Sequence, residues 1–277
     1  MAISLSSLKS TKKQAQERAP IVTIYGVDGV GKTTLASEWP NPVYITTQGE
    51  RAPSDIDLPT PGVITDINDL WDIVGELLTT NDDGTLAHDF QTVIIDSLDG
   101  LEPLIWKVTC ARIGATAIDD SSAGSVAAYG RGYREADVEW GIFTDALNDL
   151  AEAGLNVVLL AHPGIVTFNS PVSDPYSRYE IKLHKRGAAL IREKSDIVGF
   201  VNYRVTLVKA DPTNKKSTHH AEGKERYIHL AENAGFVAKS RFPTPESIKY
   251  VKGKGYLELA KYLPSAANDN GAQREAA

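Results

Sequence analysis

The chain has 277 residues, 42% apolar and 23% charged, with a net charge of −7. That length suits one large α/β domain or a core with a small appendage, and the net acidity argues against indiscriminate binding to nucleic acid. A single cysteine, Cys110, excludes an internal disulfide and a cysteine-based metal site and fits a reducing cytoplasm, and no apolar run reaches the roughly 18 residues of a membrane helix.

In chain order, residues 1–19 are polar and basic, lack a secretory apolar segment, and read as a flexible arm. PIVTIY (20–25) predicts a short buried strand. It runs into Gly26-Val27-Asp28-Gly29-Val30-Gly31-Lys32-Thr33-Thr34, a complete P-loop pattern, followed by a helix, TTLASEW, that Pro40 stops. Glycines let the loop turn backbone N–H groups around a β-phosphate, and the helix N-terminus adds its dipole. Lys32 is expected at the β- and γ-phosphates, with the Thr33 hydroxyl on Mg²⁺.

VYIT (43–46) predicts a second strand. Asp66 is a candidate N-cap for a helix whose Ile67, Leu70, Trp71, Val74, Leu77 and Leu78 follow the helical period. TVIID (92–96) predicts a third strand ending in Asp96, a carboxylate placed to hold Mg²⁺ beside the P-loop. Residues 112–130 are expected to form a mobile loop, 133–153 a long helix, and NVVLLAH (156–162) a fourth strand. A second long loop is expected over 163–186, then a short helix near 187–194. IVGFVNYRVTLV, RYIHLAE and GFVAKSR alternate as strands, with a polar hairpin loop between the first two. From about 264 the composition is that of a disordered tail. The expected class is α/β: a mainly parallel sheet flanked by helices, extended by antiparallel edge hairpins. The boundaries are an arm over 1–19, one ATPase domain over 20–263 and a tail over 264–277. Residues 178–261 are net basic on an acidic protein, which fits either an anion-facing surface or charge matching within the molecule.

The P-loop alone looks like that of thymidylate kinases, but the chain offers only Arg51 between the P-loop and Asp96 where such kinases need an arginine-rich lid. The Asn-Lys-x-Asp motif of switch GTPases is absent. The ordered set IVTIYGVDGVGKTTLA, VYITTQGE, VIIDSLDGL, YGRGY, VVLLAH and AKSRF, spanning about 21–245, resembles the RecA-like ATPase core. Within it the set is most similar to compact phage-type nucleotide-binding ATPases, some of them single-strand annealing recombinases.

The resemblance implies ATP and Mg²⁺ as ligands and a set of roles. A water-activating glutamate is expected after the second strand, where this chain has Gln48 and, nearby, Glu50; Glu50 is equally readable as a solvated loop acid. His162 falls at the γ-phosphate sensor, or is a hydrogen-bonded histidine at the core edge. Lys239 and Arg241 fall where relatives reach the neighbouring subunit's γ-phosphate, implying a homo-oligomer, ring or filament; they also fit charges guarding an edge strand. The two expected loops would line a single-stranded-DNA channel through Tyr129, Arg131 and Tyr133 in the first and Arg178, Lys182, Lys185 and Arg186 in the second, unless those aromatics are core. The reading is an ATPase, DNA-stimulated, that binds single-stranded DNA for recombination or annealing, in the cytoplasm of a cell or phage host and without a membrane partner. A single-strand-binding protein stands as a further candidate partner. A nucleoside or nucleotide kinase and an ATP-gated assembly factor are the alternatives.

Overall fold

The structure is a computed structural model that describes residues 18–204, 206–209, 219–222 and 225–264. At its centre lies β1 (Ile21–Gly26), buried along its whole length. Ile21 and Tyr25 face one apolar cluster while Val22 and Ile24 face another, so this short strand feeds two cores at once. Such a run is apolar on both faces, the signature of a parallel strand covered on each side.

After β1 come α1 (Lys32–Ser37), β2 (Pro42–Thr47), β3 (Val63–Ile64) and α2 (Ile67–Leu77). Asp66 caps α2 in a full capping box with Asp69, as its position before the apolar period predicts. Next come β4 (Thr92–Asp96), α3 (Leu98–Ile113), α4 (Arg131–Glu152) and β5 (Asn156–Ala161). The chain continues through β6 (Pro163–Phe168), β7 (Tyr176–Ile181), α5 (Lys185–Lys194), β8 (Ile197–Tyr203), β9 (Thr206–Lys209) and β10 (His219–Glu222). It closes with β11 (Arg226–His229), β12 (Lys239–Ser240), β13 (Ser247–Tyr250) and α6 (Gly255–Ala260).

Among the described residues the main sheet has nine strands in the order β13-β11-β8-β1-β5-β4-β2-β3, with β12 also pairing to β8. The pairs from β8 to β3 are parallel, and β11, β12 and β13 join antiparallel. Helices α2 to α5 supply one core and α1 and α6 the other. This is the expected α/β architecture, a mainly parallel sheet flanked by helices with an antiparallel edge.

Four local expectations change. Residues 163–186 are not a loop: β6 and β7 pair as a hairpin, and α5 begins at Lys185. IVGFVNYRVTLV is not one strand, since β8 ends at Tyr203 and β9 pairs with β10 inside the segment expected to be a loop. GFVAKSR is strand only at Lys239–Ser240. Two residues expected in the arm are held in place: the Arg18 guanidinium clasps both oxygens of Asp196 at 2.8 and 2.9 Å, and Ala19 is buried. The rest of the arm and the tail from residue 265 lie outside the described residues.

Part of the basic C-terminal charge is matched within the molecule, through Lys252–Asp55, Arg186–Asp137 and Lys194–Asp145. Pairs of this exposed kind contribute little stability.

Gly132, in the first turn of α4, lies where an added Cβ would meet the Ile118 carbonyl oxygen at 2.0 Å. Alanine favours a helix over glycine by about 1 kcal/mol, but here the backbone itself blocks it. Gly132→Ala is therefore expected to lose about 1–3 kcal/mol net of that gain. In urea unfolding the midpoint should fall with an unchanged slope.

Candidate functional site

The P-loop begins where β1 can no longer carry a side chain: a Cβ on Gly26 would lie 2.1 Å from the Val201 carbonyl oxygen of β8. Gly29 and Gly31 take φ of 70° and 95°, the left-handed region where a side chain is strained. Gly31 caps α1, so the loop delivers Lys32 and Thr33 at a helix N-terminus.

Lys32 Nζ donates to the Gly26 carbonyl at 2.8 Å. Burial pulls its pKa down, against the nearby carboxylates of Asp28 and Asp96. Thr33 Oγ1 donates to Asp96 Oδ2 at 2.9 Å, and the Tyr44 hydroxyl donates to the same oxygen at 2.8 Å. Asp96 is only 3% exposed, and burial raises its pKa in spite of these two donors.

Directly after Asp96, Ser97 caps α3, and its hydroxyl donates to Glu50 Oε1 at 2.9 Å. Asp99, in the first turn of α3, receives the backbone N–H of His162 at 3.1 Å and contacts its Nδ1 at 2.9 and 3.1 Å. Burial pushes Asp99 up, but the histidine outweighs it and the carboxyl titrates below its ordinary range. The same hydrogen bond raises His162, against burial. His162 Nε2 lies 3.7 Å from Asp28 of the P-loop, and its Nδ1 lies 3.6 Å from Glu50.

These groups surround a cleft of about 340 Å³ lined by Asp28, Lys32, Thr33, Glu50, Asp96 and His162 among others. Hard oxygen donors at Thr33 and Asp96 suit Mg²⁺, and the glycine-rich loop with Lys32 suits a polyphosphate. Larger cavities near Lys239 and Arg241 contain none of the P-loop residues. Gln48 is exposed and does not line the cleft, whereas Glu50 does.

A family model described as an AAA domain matches residues 18–242. The chain belongs to the AAA domain family. Its matched region contains the P-loop, Asp96 and His162. Among solved structures the chain is similar to one titled "Crystal structure of the RadB recombinase", at 15% identity and a TM-score of 0.42 over 85% of this chain and 90% of that one. A search of curated protein sequences gave no match.

The remaining sequence-derived residues sit elsewhere. Lys239 Nζ donates to the carbonyls of Arg192, Glu193 and Ser195 at 2.7, 3.1 and 2.9 Å, closing the C-terminal end of α5. Arg241 bonds Asp196 at 3.2 Å. In the first DNA segment Tyr129 is 98% exposed at φ 58°, while Arg131 folds back onto the Ser125 and Ala128 carbonyls. Tyr133 is not open for stacking on a base: it stacks on His184 at 3.9 Å and meets Trp106 edge-on. In the second, the Arg178 side chain is only 9% exposed, paired with Glu180 and Glu232 and lying over Phe168. Arg178, expected on DNA, is thus engaged within the hairpin and with Glu232. Arg186 pairs with Asp137, and Lys182 and Lys185 are exposed.

Sequence reasoning did not reach Tyr44, Ser97, Asp99 or Glu102. Glu102, one helical turn beyond Asp99, is buried and receives the His184 backbone N–H at 2.9 and 3.1 Å. Burial, with Asp99 adding to it, pushes this carboxyl from 4.5 up to about 7. A carboxyl raised by folding contributes stability that is full below its ordinary range and lost as pH rises through the folded value. Glu102→Gln cannot ionise. Its unfolding free energy relative to the parent chain should therefore improve between about pH 4.5 and pH 7, by on the order of 2–3 kcal/mol, read from urea unfolding at each pH.

Proposed function

We propose that the protein hydrolyses Mg²⁺–ATP and, as a homo-oligomer, binds single-stranded DNA for recombination or strand annealing. The observation that carries this reading is the convergence of Lys32, Thr33, Asp96, Glu50 and His162 on one cleft at a helix N-terminus. Thr33 and Asp96 would hold Mg²⁺, which would supply neutralisation of phosphate charge.

Glu50 takes the role of water activation in place of Gln48, because it lines the cleft and is oriented by Ser97. It accepts a proton from water as the water oxygen bonds the γ-phosphorus. The bond to the β–γ bridging oxygen breaks and ADP leaves with the electron pair, its charge met by Lys32. His162 keeps Nδ1 on Asp99 and presents Nε2 beside the P-loop, which suits a sensor of the γ-phosphate.

Of the two candidate trans cations, Arg241 fits better than Lys239. Its side chain is 46% exposed, and Arg18 stays on Asp196 if Arg241 leaves. Lys239 is spent on three carbonyls of its own chain. For DNA, exposed Tyr129 offers a stacking face and Lys182 and Lys185 offer cations.

The test is steady-state ATP hydrolysis with Mg²⁺, with and without long single-stranded DNA, over a range of protein concentrations. The rate per subunit should rise with both DNA and protein. Glu50→Gln should cost about 10²–10⁴-fold in rate with ATP binding retained. Arg241→Ala should remove the dependence on protein concentration, and Tyr129→Ala should weaken DNA binding by about 1–3 kcal/mol. A rate indifferent to DNA and to protein concentration would sink this reading and turn attention to a nucleoside-monophosphate acceptor.

A further inference from the structure

A loop that turns its N–H groups toward a phosphate turns carbonyl oxygens the other way, and those oxygens need donors. Here the donors come from the antiparallel edge of the sheet. The Tyr203 hydroxyl at the end of β8 donates to Gly29 O at 3.3 Å, and Arg226 Nη1 at the start of β11 donates to Val30 O at 3.3 Å. The Tyr250 hydroxyl at the end of β13 lies 3.4 Å from Glu38 Oε1 and 3.5 Å from Gly31 O, a carbonyl that also accepts the Leu35 N–H at 2.9 Å. Two successive P-loop carbonyls are thus met by side chains from β8 and β11, and Tyr250 of β13 lies against the third.

Arg226 is central to this grip. Its guanidinium lies over the Tyr250 ring, 4.4 Å from the centroid, so donor and aromatic brace each other. A Cβ at Gly31 would come within 2.9 Å of Arg226 Nη1, and the φ of 95° there favours glycine. The far end of α1 is held from the same direction. Its C-cap residue Glu38 receives the backbone N–H groups of Gly253 at 2.7 Å and Tyr256 at 3.1 Å. Loop and helix are therefore bracketed at both ends by the segment from β11 to α6.

We infer that Arg226, supported by Tyr203 and Tyr250, is a positioning residue for nucleotide binding: it holds the phosphate loop in its binding shape from behind, without touching the nucleotide. This rests on the reading of Gly26–Thr34 as an ATP site. A preformed loop loses less freedom on binding, so slackening the grip weakens affinity rather than global stability.

The experiment is calorimetric titration of the full chain with ATP and Mg²⁺, beside melting curves without nucleotide. Arg226→Ala should raise the ATP dissociation constant about tenfold while the nucleotide-free melting temperature stays close to that of the parent. Arg226→Lys, which keeps a donor but loses the planar stack, should fall between the two. Should Arg226→Ala fail to fold, the double variant Tyr203→Phe, Tyr250→Phe removes two donors with little change of shape and should weaken ATP several-fold. Affinity within twofold of the parent in a folded variant overturns the clamp and leaves the ATP site standing. A parent chain that does not bind ATP overturns both.

Discussion

Everything at this site is referred to one buried carboxylate. Asp96 stands at the end of the interior strand β4, nearly out of water, where an unpaired charge would be prohibitively costly. It is tolerated because donors arrive from two different elements, Thr33 from the P-loop helix and Tyr44 from β2. Those two hydrogen bonds fasten the phosphate loop to the far half of the sheet across the intervening strand β5. From the same point α3 starts, and its first turn supplies Ser97 to Glu50 and Asp99 to His162. The placement of the candidate base and the candidate sensor both follow from where Asp96 is held.

This arrangement explains why so much of the centre could be read in advance. Strands buried on both faces announce themselves as uninterrupted apolar runs, and IVTIY, TVIID and NVVLLA are such runs. A polar residue ending one of them marks the active edge of a parallel sheet, which is why Asp96 and His162 stood out. The P-loop carries its own glycine pattern because close backbone approach at Gly26 and positive φ at Gly29 and Gly31 allow little else.

The rest was obscured for physical reasons. The β6–β7 hairpin stands apart from the main sheet and fully buries only Ile181, so it lacks the alternation that burial imposes. Helix α3 contains Gly100 and Pro103, and the glycine is there because a Cβ would strike the Thr47 side chain. That constraint is tertiary and leaves no local periodic trace. Asp99 and Glu102 read as ordinary helix carboxylates until the fold brings His162 and His184 against them. Arg178 carries the opposite lesson: its place among aromatics and cations suggested DNA, and only the structure reveals Glu180 and Glu232, which pair with it.

The stack of Tyr133 on His184 bears on how the two surface segments behave. Tyr133 lies in the first turn of α4, just after the exposed Tyr129, and His184 caps α5, just after the β6–β7 hairpin. Glu102 anchors the His184 backbone from beneath. The two segments, remote in sequence, thus share a single pivot. Ordering either one against a ligand removes conformational freedom from the other as well, so the entropic penalty of engaging both is smaller than the sum of two separate penalties.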